Sequence, residues 1–476
     1  MAAAVDAVDT SGWTQFSGKA AGRHIFRRLC PEAFSYSHAP DAAYDPATRP
    51  TTLGIDGMVA IKGCHDIVRT GRHLCESIWL LATCAFAFKE WEECMARCVL
   101  TFDRYDLVSM AKGVEQAKRD VDKIVGAELQ AFGNPDRDLG MGRLSDAFEL
   151  WTGDRHVGTP AILRFIITTW MRWACDEREQ GGGLSDPPTL MLRPGKVVVV
   201  NGHYIRGRAD MPDGHEVEIP EGMVDGEFED VPLLFAADSH GKMTIRFFPA
   251  LRNRIGEGDF ALPFLCTSVT PRGESVALMS VDTDFMYIGM LMSRRVFWMC
   301  WPRIQFCFRG RRLPEAESQQ WADLGLLKFL ITERLHVAGH AHPALFLAMA
   351  MNLAGGDYID PQPRTPHHHY IRALVERPGE FKDLMRPGED GRFVMDEDGV
   401  MVYMRKVFAH KSTGKRPPPP EHVKALTRHA DLYLYFLSQI EKSEMRDPPD
   451  LGAYGYVPLV DTEPMSRTNI DRVLTL

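Results

Sequence analysis

Hydrophobic spacing changes several times along this chain, and each change marks an element. Ala20 to Leu29 reads as a short helix, followed by a Pro-, Ala- and Asp-rich loop up to residue 50. "TTLGIDG", Thr51 to Gly57, reads as a buried strand ending in a turn. Helical periodicity follows from about Ile67 to Phe88, and "CVLTFD", Cys98 to Asp103, predicts a second strand. Helices are expected from near Ser109 past Lys123 and over Ala161 to Glu179, before the break "QGGGLSDPP". Between Leu190 and Phe248 the pattern turns to β: "KVVVV", "HYIRGR" and "MTIRFF" are strand-like runs separated by Gly, Asp and Pro. A strand–turn–helix junction is expected over Arg254 to Leu265. "VALMSVDTDF", Val276 to Phe285, reads as a strand ending in carboxylates, and "RIQFCFRG", Arg303 to Gly310, as another. Helices are expected over Glu315 to Thr332, Pro343 to Ala354 and, past "STGKRPPPP", Glu421 to Lys442, the last clearly amphipathic. A Pro- and Gly-rich tail closes the chain.

Strands alternating with helices imply an α/β fold with a mostly parallel sheet. At 476 residues the chain has room for two or three domains and a large core. We divide it into an N-terminal segment 1–50, a main α/β domain 51–375 and a helical C-terminal region with its tail, 376–476. The main domain carries an insertion at about 127–248, β-rich over 190–248. A net charge of −9 excludes bulk positive charge as the means of holding nucleic acid, so phosphate contacts would have to come from local basic patches. The ten cysteines form no CxxC pair. Cys94 and Cys98 are spaced as on one helix face, and no second pair completes a zinc site. Reduced intracellular thiols, nuclear or cytoplasmic, are expected. No apolar run is long enough for a transmembrane helix, and the first ten residues lack a basic n-region, so no membrane partner and no secretory signal are expected.

The chemistry lies in what closes the strands, because ligands of open α/β sheets sit at the carboxyl ends. Asp56 ends the first strand and Asp103 the second. Glu257 and Asp259 open a helix in "IGEGDFALPFL", Asp282 and Asp284 follow a strand in "SVDTDFM", and Asp357 follows a helix in "NLAGGDYID". Any one of them reads as a turn residue, an N-cap or a partner of a helix dipole. Gathered at one edge of a parallel sheet they would repel unless cations intervene. Mg²⁺ and Mn²⁺ prefer such hard oxygen ligands, and a pair of these ions serves phosphodiester hydrolysis.

The succession strand-Asp, strand-Asp, Glu-x-acid at a helix start, Asp-x-Asp and Gly-Asp-Tyr, from Leu53 to about Leu374, resembles the flap endonucleases and 5′→3′ exoribonucleases. The resemblance implies a fold of the PIN/flap-endonuclease type. It implies two Mg²⁺ or Mn²⁺ ions held by Asp56, Asp103, Glu257, Asp259, Asp282, Asp284 and Asp357. It also implies a role for "MAKGVEQAKRD", where Lys112, Gln116 and Arg119 fall at i, i+4 and i+7 on one helix face. In the family, Lys and Arg at this spacing reach the scissile or terminal phosphate, and the Gln is more like the exoribonuclease branch. The implied function is a metal-dependent 5′ nuclease acting on DNA or RNA near 5′ ends or flaps. The sequence departs from the family pattern in several places. Asp259 stands where the family usually has a second Glu. "IDPQPRTPHHHYIRAL" replaces the Gly-x-Gly-Pro turn that grips duplex DNA in flap endonucleases. Asp120 falls where the exoribonucleases carry a second phosphate-binding Arg. The acidic net charge, Asp259 and the segment after Asp357 motivate an alternative, a non-catalytic nucleic-acid-binding or scaffold subunit.

Three further groups have simpler readings. His367, His368 and His369 are adjacent, cannot converge easily on one ion, and read as a polar surface run. Trp298, Trp301 and Phe306 read as core aromatics around a strand rather than base-stacking platforms. Arg309, Arg311 and Arg312 are either a phosphate contact or a solvated turn. No P-loop, dinucleotide fingerprint or nucleophile elbow is present.

Overall fold

The computed structural model describes residues 13, 21–34, 49–60, 71–87, 93–103, 107–109, 155–175, 192–201, 205, 208, 217–218, 228, 231–252, 258–280, 282–292, 297–301, 320–334, 342–355, 365–376, 383–409, 417–442 and 456–458. In chain order the main elements are α1 (Ala21–Leu29), β1 (Pro50–Asp56), α2 (Gly71–Thr83), β2 (Arg97–Thr101), α3 (Arg155–Cys175), β3 (Val197–Val200), β4 (Val217–Glu218), β5 (Leu233–Ala237), β6 (Met243–Phe247), α4 (Gly258–Val269) and β7 (Ser275–Met279). Then come α5 (Asp284–Leu291), β8 (Phe297–Trp301), β9 (Gln320–Asp323), α6 (Leu324–Arg334), α7 (Pro343–Leu353), α8 (His367–Glu376), β10 (Met385–Pro387), β11 (Phe393–Met395), α9 (Glu397–Ala409) and α10 (Pro420–Lys442). The fold is mixed α/β with a mostly parallel central sheet flanked by helices. The chain divides into two compact units. One is His38–Met279, Pro302–Gln319 and Val457–Leu476; the other is Met1–Ser37, Ser280–Trp301 and Gln320–Tyr456.

The first unit holds the sheet, in the order β7-β1-β2-β3-β5-β6-β4. β7, β1, β2 and β3 run parallel to their neighbours, β5 reverses against β3 and β6, and β4 is parallel to β6. The strands of the β-rich segment 190–248 therefore extend this sheet from β2 outward. β1 is central and almost wholly buried, as expected of a parallel strand covered on both faces. Its two faces meet different helices. Gly54 faces α4, where an added Cβ would lie 2.5 Å from Cys266 Sγ and 3.1 Å from Leu262 Cδ1, so the missing side chain lets the helix press onto the strand. Register places Leu53, Cys98, Val198 and Phe235 on the opposite face. There Trp79 of α2 and Trp170 of α3 pack edge-on against Phe235, at 5.6 and 6.3 Å between ring centroids.

The second unit is mainly helical, with antiparallel pairs β8–β9 and β10–β11. Phe26 of α1 meets Tyr287 of α5 edge-on at 5.7 Å. The Tyr403 hydroxyl of α9 donates to the Tyr370 carbonyl of α8 at 2.5 Å, and Asp431 of α10 accepts from the Met395 amide at 2.6 Å. α9 and α10 are the last two helices among the described residues.

Several expectations are corrected. The helix expected over Glu315 to Thr332 starts only at Leu324, because Gln320–Asp323 pairs with β8 as a strand. Asp323 then caps the helix, its Oδ1 accepting from the Leu326 amide at 2.8 Å. The strand expected to run through Phe285 stops at Met279, and Asp284 begins α5. His367, His368 and His369 are no surface run: they are buried in the first turn of α8, at 7, 3 and 5% exposure. His367 Nε2 lies 3.1 Å from the Gly355 carbonyl oxygen. Cys94 and Cys98 share no helix, since Cys98 lies in β2 and Cys94 precedes it. Among the described residues neither forms a disulfide, nor do Cys30, Cys75, Cys175 and Cys266. Among the described residues no helix is long and apolar enough to cross a membrane.

Candidate metal centre

Because β1, β2 and β7 are parallel neighbours, their carboxyl ends share one edge of the sheet. Asp56 pairs with Thr101 across β1–β2, and Ile55 pairs with Met279 across β1–β7. Asp56 is thus the last residue of β1, Asp103 lies just past β2, and Asp282 lies just past β7. Connectivity alone brings these acids to the same edge.

Each carboxylate also has local work. Asp56 Oδ1 accepts from the Met58 amide at 2.9 Å and the Val59 amide at 3.4 Å, capping the helical turn that begins at Gly57. Asp103 Oδ1 accepts from the Gly258 amide at 2.9 Å. It thereby ties the end of β2 to the first residue of α4, one residue before Asp259. A Cβ on Gly258 would lie 2.6 Å from that same oxygen, so this approach requires glycine. Asp282 donates its own amide to Ser280 Oγ at 3.0 Å, and its Oδ1 accepts from the Asp284 amide at 3.2 Å. That turn leads directly into α5 and sets the two acids side by side.

Asp259, Asp282 and Asp284 each offer one carboxylate oxygen within 4.8 Å of the others. These three could hold a metal ion. An all-oxygen donor set without His or Cys fits Mg²⁺ or Mn²⁺ and does not fit a structural zinc site. Asp56 and Asp103 stand outside this trio. Glu257, Asp357, Lys112, Gln116 and Arg119 lie outside the described residues.

The field of the acids reaches Tyr287, one turn along α5. Its hydroxyl is pushed well above the usual tyrosine range, first by burial and then by Asp284 and Asp282. It has no hydrogen-bond partner among the described residues and packs where Gly22 of α1 lacks a side chain.

Reading the sequence for acids missed two residues that shape this edge, Gly258 and Asn201. The signal for the second was an amide directly after the apolar run "KVVVV", which reads as an ordinary turn residue. Compared with known proteins, the chain matches no protein-family model and no curated protein.

Proposed function

We propose that this protein is a metal-dependent 5′ nuclease hydrolysing phosphodiester bonds of DNA or RNA near 5′ ends or flaps, inside the cell. One observation carries the reading: Asp259, Asp282 and Asp284 present oxygens within 4.8 Å of one another beside the carboxyl edge of a parallel sheet, where such folds bind ligands. Three carboxylates so close repel unless a cation joins them. Asp259, Asp282 and Asp284 would hold a divalent cation. Glu257, Asp357, Asp56 and Asp103 are the further acids that the resemblance to the flap-endonuclease superfamily assigns to a pair of ions. Bound there, Mg²⁺ or Mn²⁺ would supply Lewis acidity at the scissile phosphate. Lys112 and Arg119 would offset charge on that phosphate, with Gln116 between them. With a net charge of −9, such local cations have to provide the grip on the nucleic-acid backbone.

A second reading, a non-catalytic nucleic-acid-binding or scaffold subunit, draws on a different observation. Asp56 and Asp103 both act in the fold without metal, as a helical-turn cap and a strand–helix tie. Their presence is explained by structure alone. The deciding experiment is cleavage of end-labelled, 5′-phosphorylated single strands and flapped duplexes, DNA and RNA, with Mg²⁺ or Mn²⁺. An Asp282→Ala/Asp284→Ala variant runs beside it. Metal-dependent cleavage by the wild type, lost in the variant, establishes the nuclease. No cleavage of any substrate, together with no stabilisation by Mn²⁺, leaves the scaffold reading.

A further inference from the structure

Asn201 follows the last residue of β3 and is 1% exposed. Its backbone amide donates to the Leu100 carbonyl at 3.2 Å. Its side chain then makes two bonds to one residue of the neighbouring strand: Oδ1 accepts from the Phe102 amide at 2.9 Å, and Nδ2 donates to the Phe102 carbonyl at 2.8 Å. A carboxamide has one acceptor and one donor side by side, so it mimics a peptide group. Here it continues the β2–β3 ladder one step past the end of the strands. Both polar groups of a buried peptide segment are satisfied where regular pairing has stopped.

Phe102 is held from the other side too. Its ring lies against Gly57, where an added Cβ would come within 2.4 Å of Cδ1 and 2.5 Å of the Thr101 carbonyl oxygen. With backbone and ring both fixed, the next residue has a fixed direction. That residue is Asp103, whose Oδ1 accepts the Gly258 amide at 2.9 Å. Gly258 opens α4, and Asp259 follows it.

We propose that Asn201 is a positioning residue for the candidate metal centre. Its carboxamide sets the backbone at Phe102, which aims Asp103 at the Gly258 amide, and that bond fixes the start of α4 and with it Asp259. The link to cation binding rests on the nuclease reading; the link from Asn201 to Gly258 does not. A residue that merely stapled two strand ends would alter stability without altering either link.

The test uses the full chain as wild type, Asn201→Ala, Asn201→Asp and, as a control, Val198→Ala, which opens the core of β3 (Val198 is 0% exposed) away from the edge. Asn201→Asp keeps an acceptor for the Phe102 amide and loses the donor to its carbonyl. It carries the same test if Asn201→Ala does not fold. Two quantities are read: hydrogen exchange of a peptide covering residues 255–262 without divalent metal, and the Mn²⁺ concentration giving half of the thermal stabilisation. In the Asn201 variants, exchange at Gly258 should rise about tenfold, the scale of one lost hydrogen bond, and half-saturation should shift upward several-fold. Val198→Ala should change neither. Unchanged exchange at Gly258 in a folded Asn201 variant overturns the proposal, and so does an equal rise in Val198→Ala. If the wild type shows no Mn²⁺ response while exchange still rises in the Asn201 variants, the nuclease reading fails and the positioning of Gly258 by Asn201 stands.

Discussion

Asp282→Asn isolates the charge of one acid from its shape. The asparagine keeps an Oδ1 in place to accept the Asp284 amide, a 3.2 Å bond in the wild type, so the turn into α5 survives. What changes is repulsion. Two carboxylates 4.8 Å apart, the outer limit within the trio, repel by about 0.9 kcal/mol at the screening of bulk water and by about 3.5 kcal/mol at an effective dielectric of about 20. Asp282 and Asp284 are half-buried, so the value for each pair falls between these, and salt lowers it further. Losing one acid of three removes two such pairs. Two pairs at these limits sum to about 2–7 kcal/mol, so without divalent metal the variant should be more stable than the wild type, by about 2 kcal/mol at the bulk-water limit. With Mn²⁺ the order should reverse. At a hundredfold excess over its dissociation constant, a bound ion stabilises the wild type by about 2.7 kcal/mol, whereas a neutral amide oxygen is a poorer ligand and the variant gains far less. Urea unfolding of both proteins, in a chelator and in Mn²⁺, measures all four stabilities. A variant no more stable than the wild type in the chelator, with an equal gain from Mn²⁺, would refute the reasoning: the acids would be neither repelling nor binding.

Other consequences are as specific. Gly54→Ala drives a methyl to within 2.5 Å of Cys266 Sγ and 3.0 Å of Leu278 Cδ2, and should cost about 1–3 kcal/mol by overpacking; adding Cys266→Ala should recover much of that in chemical denaturation, and a neutral single variant would contradict the packing of α4 on β1. Gly258→Ala places a methyl 2.6 Å from Asp103 Oδ1; it should raise the Mn²⁺ needed for half of the thermal stabilisation although alanine favours helices. Tyr287→Phe removes a buried hydroxyl that lacks a partner among the described residues and should stabilise the protein by about 1 kcal/mol at neutral pH. The same variant should respond less to alkali. Burial, Asp284 and Asp282 hold the folded hydroxyl well above its usual range, while the unfolded tyrosine ionises near pH ~10. The folded state therefore keeps a proton that the unfolded state releases, so stability is lost as pH rises past ~10. In Tyr287→Phe the fall of the unfolding midpoint above that pH should be shallower by the share of one proton; an identical slope would show that Tyr287 ionises normally in the fold.

Elements whose apolar pattern is local and strong were legible in the sequence. α1, β1, α7 and α10 fall within a residue or two of where periodicity places them, because a continuous apolar run or an amphipathic stripe has one way to be buried. The parallel arrangement of β1, β2 and β7, and hence the gathering of Asp56, Asp103 and Asp282 at one edge, also follows from strands alternating with helices. Where partners distant in sequence decide, the pattern misleads. Gln320–Asp323 carries helix-compatible residues, yet pairing with β8 makes it a strand, since ladder hydrogen bonds outweigh a weak local propensity. His367, His368 and His369 look polar, yet α8 buries them, because a helix packed between α7 and α9 has little exposed face to offer.

The sequence by itself determined the type of chemistry at the candidate centre: hard oxygen donors, placed where strands end, with no thiol or imidazole motif to compete. Only the tertiary structure decided how those donors are aimed. The strand after Val276 stops at Met279, so that Asp282 and Asp284 fold into one turn. Gly258 admits Asp103, and Asn201, 99 positions from Phe102, completes a ladder that Phe102 cannot complete alone. The physical reason is the reach of each interaction. Hydrophobic period and residue chemistry are properties of neighbours along the chain, whereas a buried hydrogen bond across 99 positions exists only once the sheet has brought its two ends together.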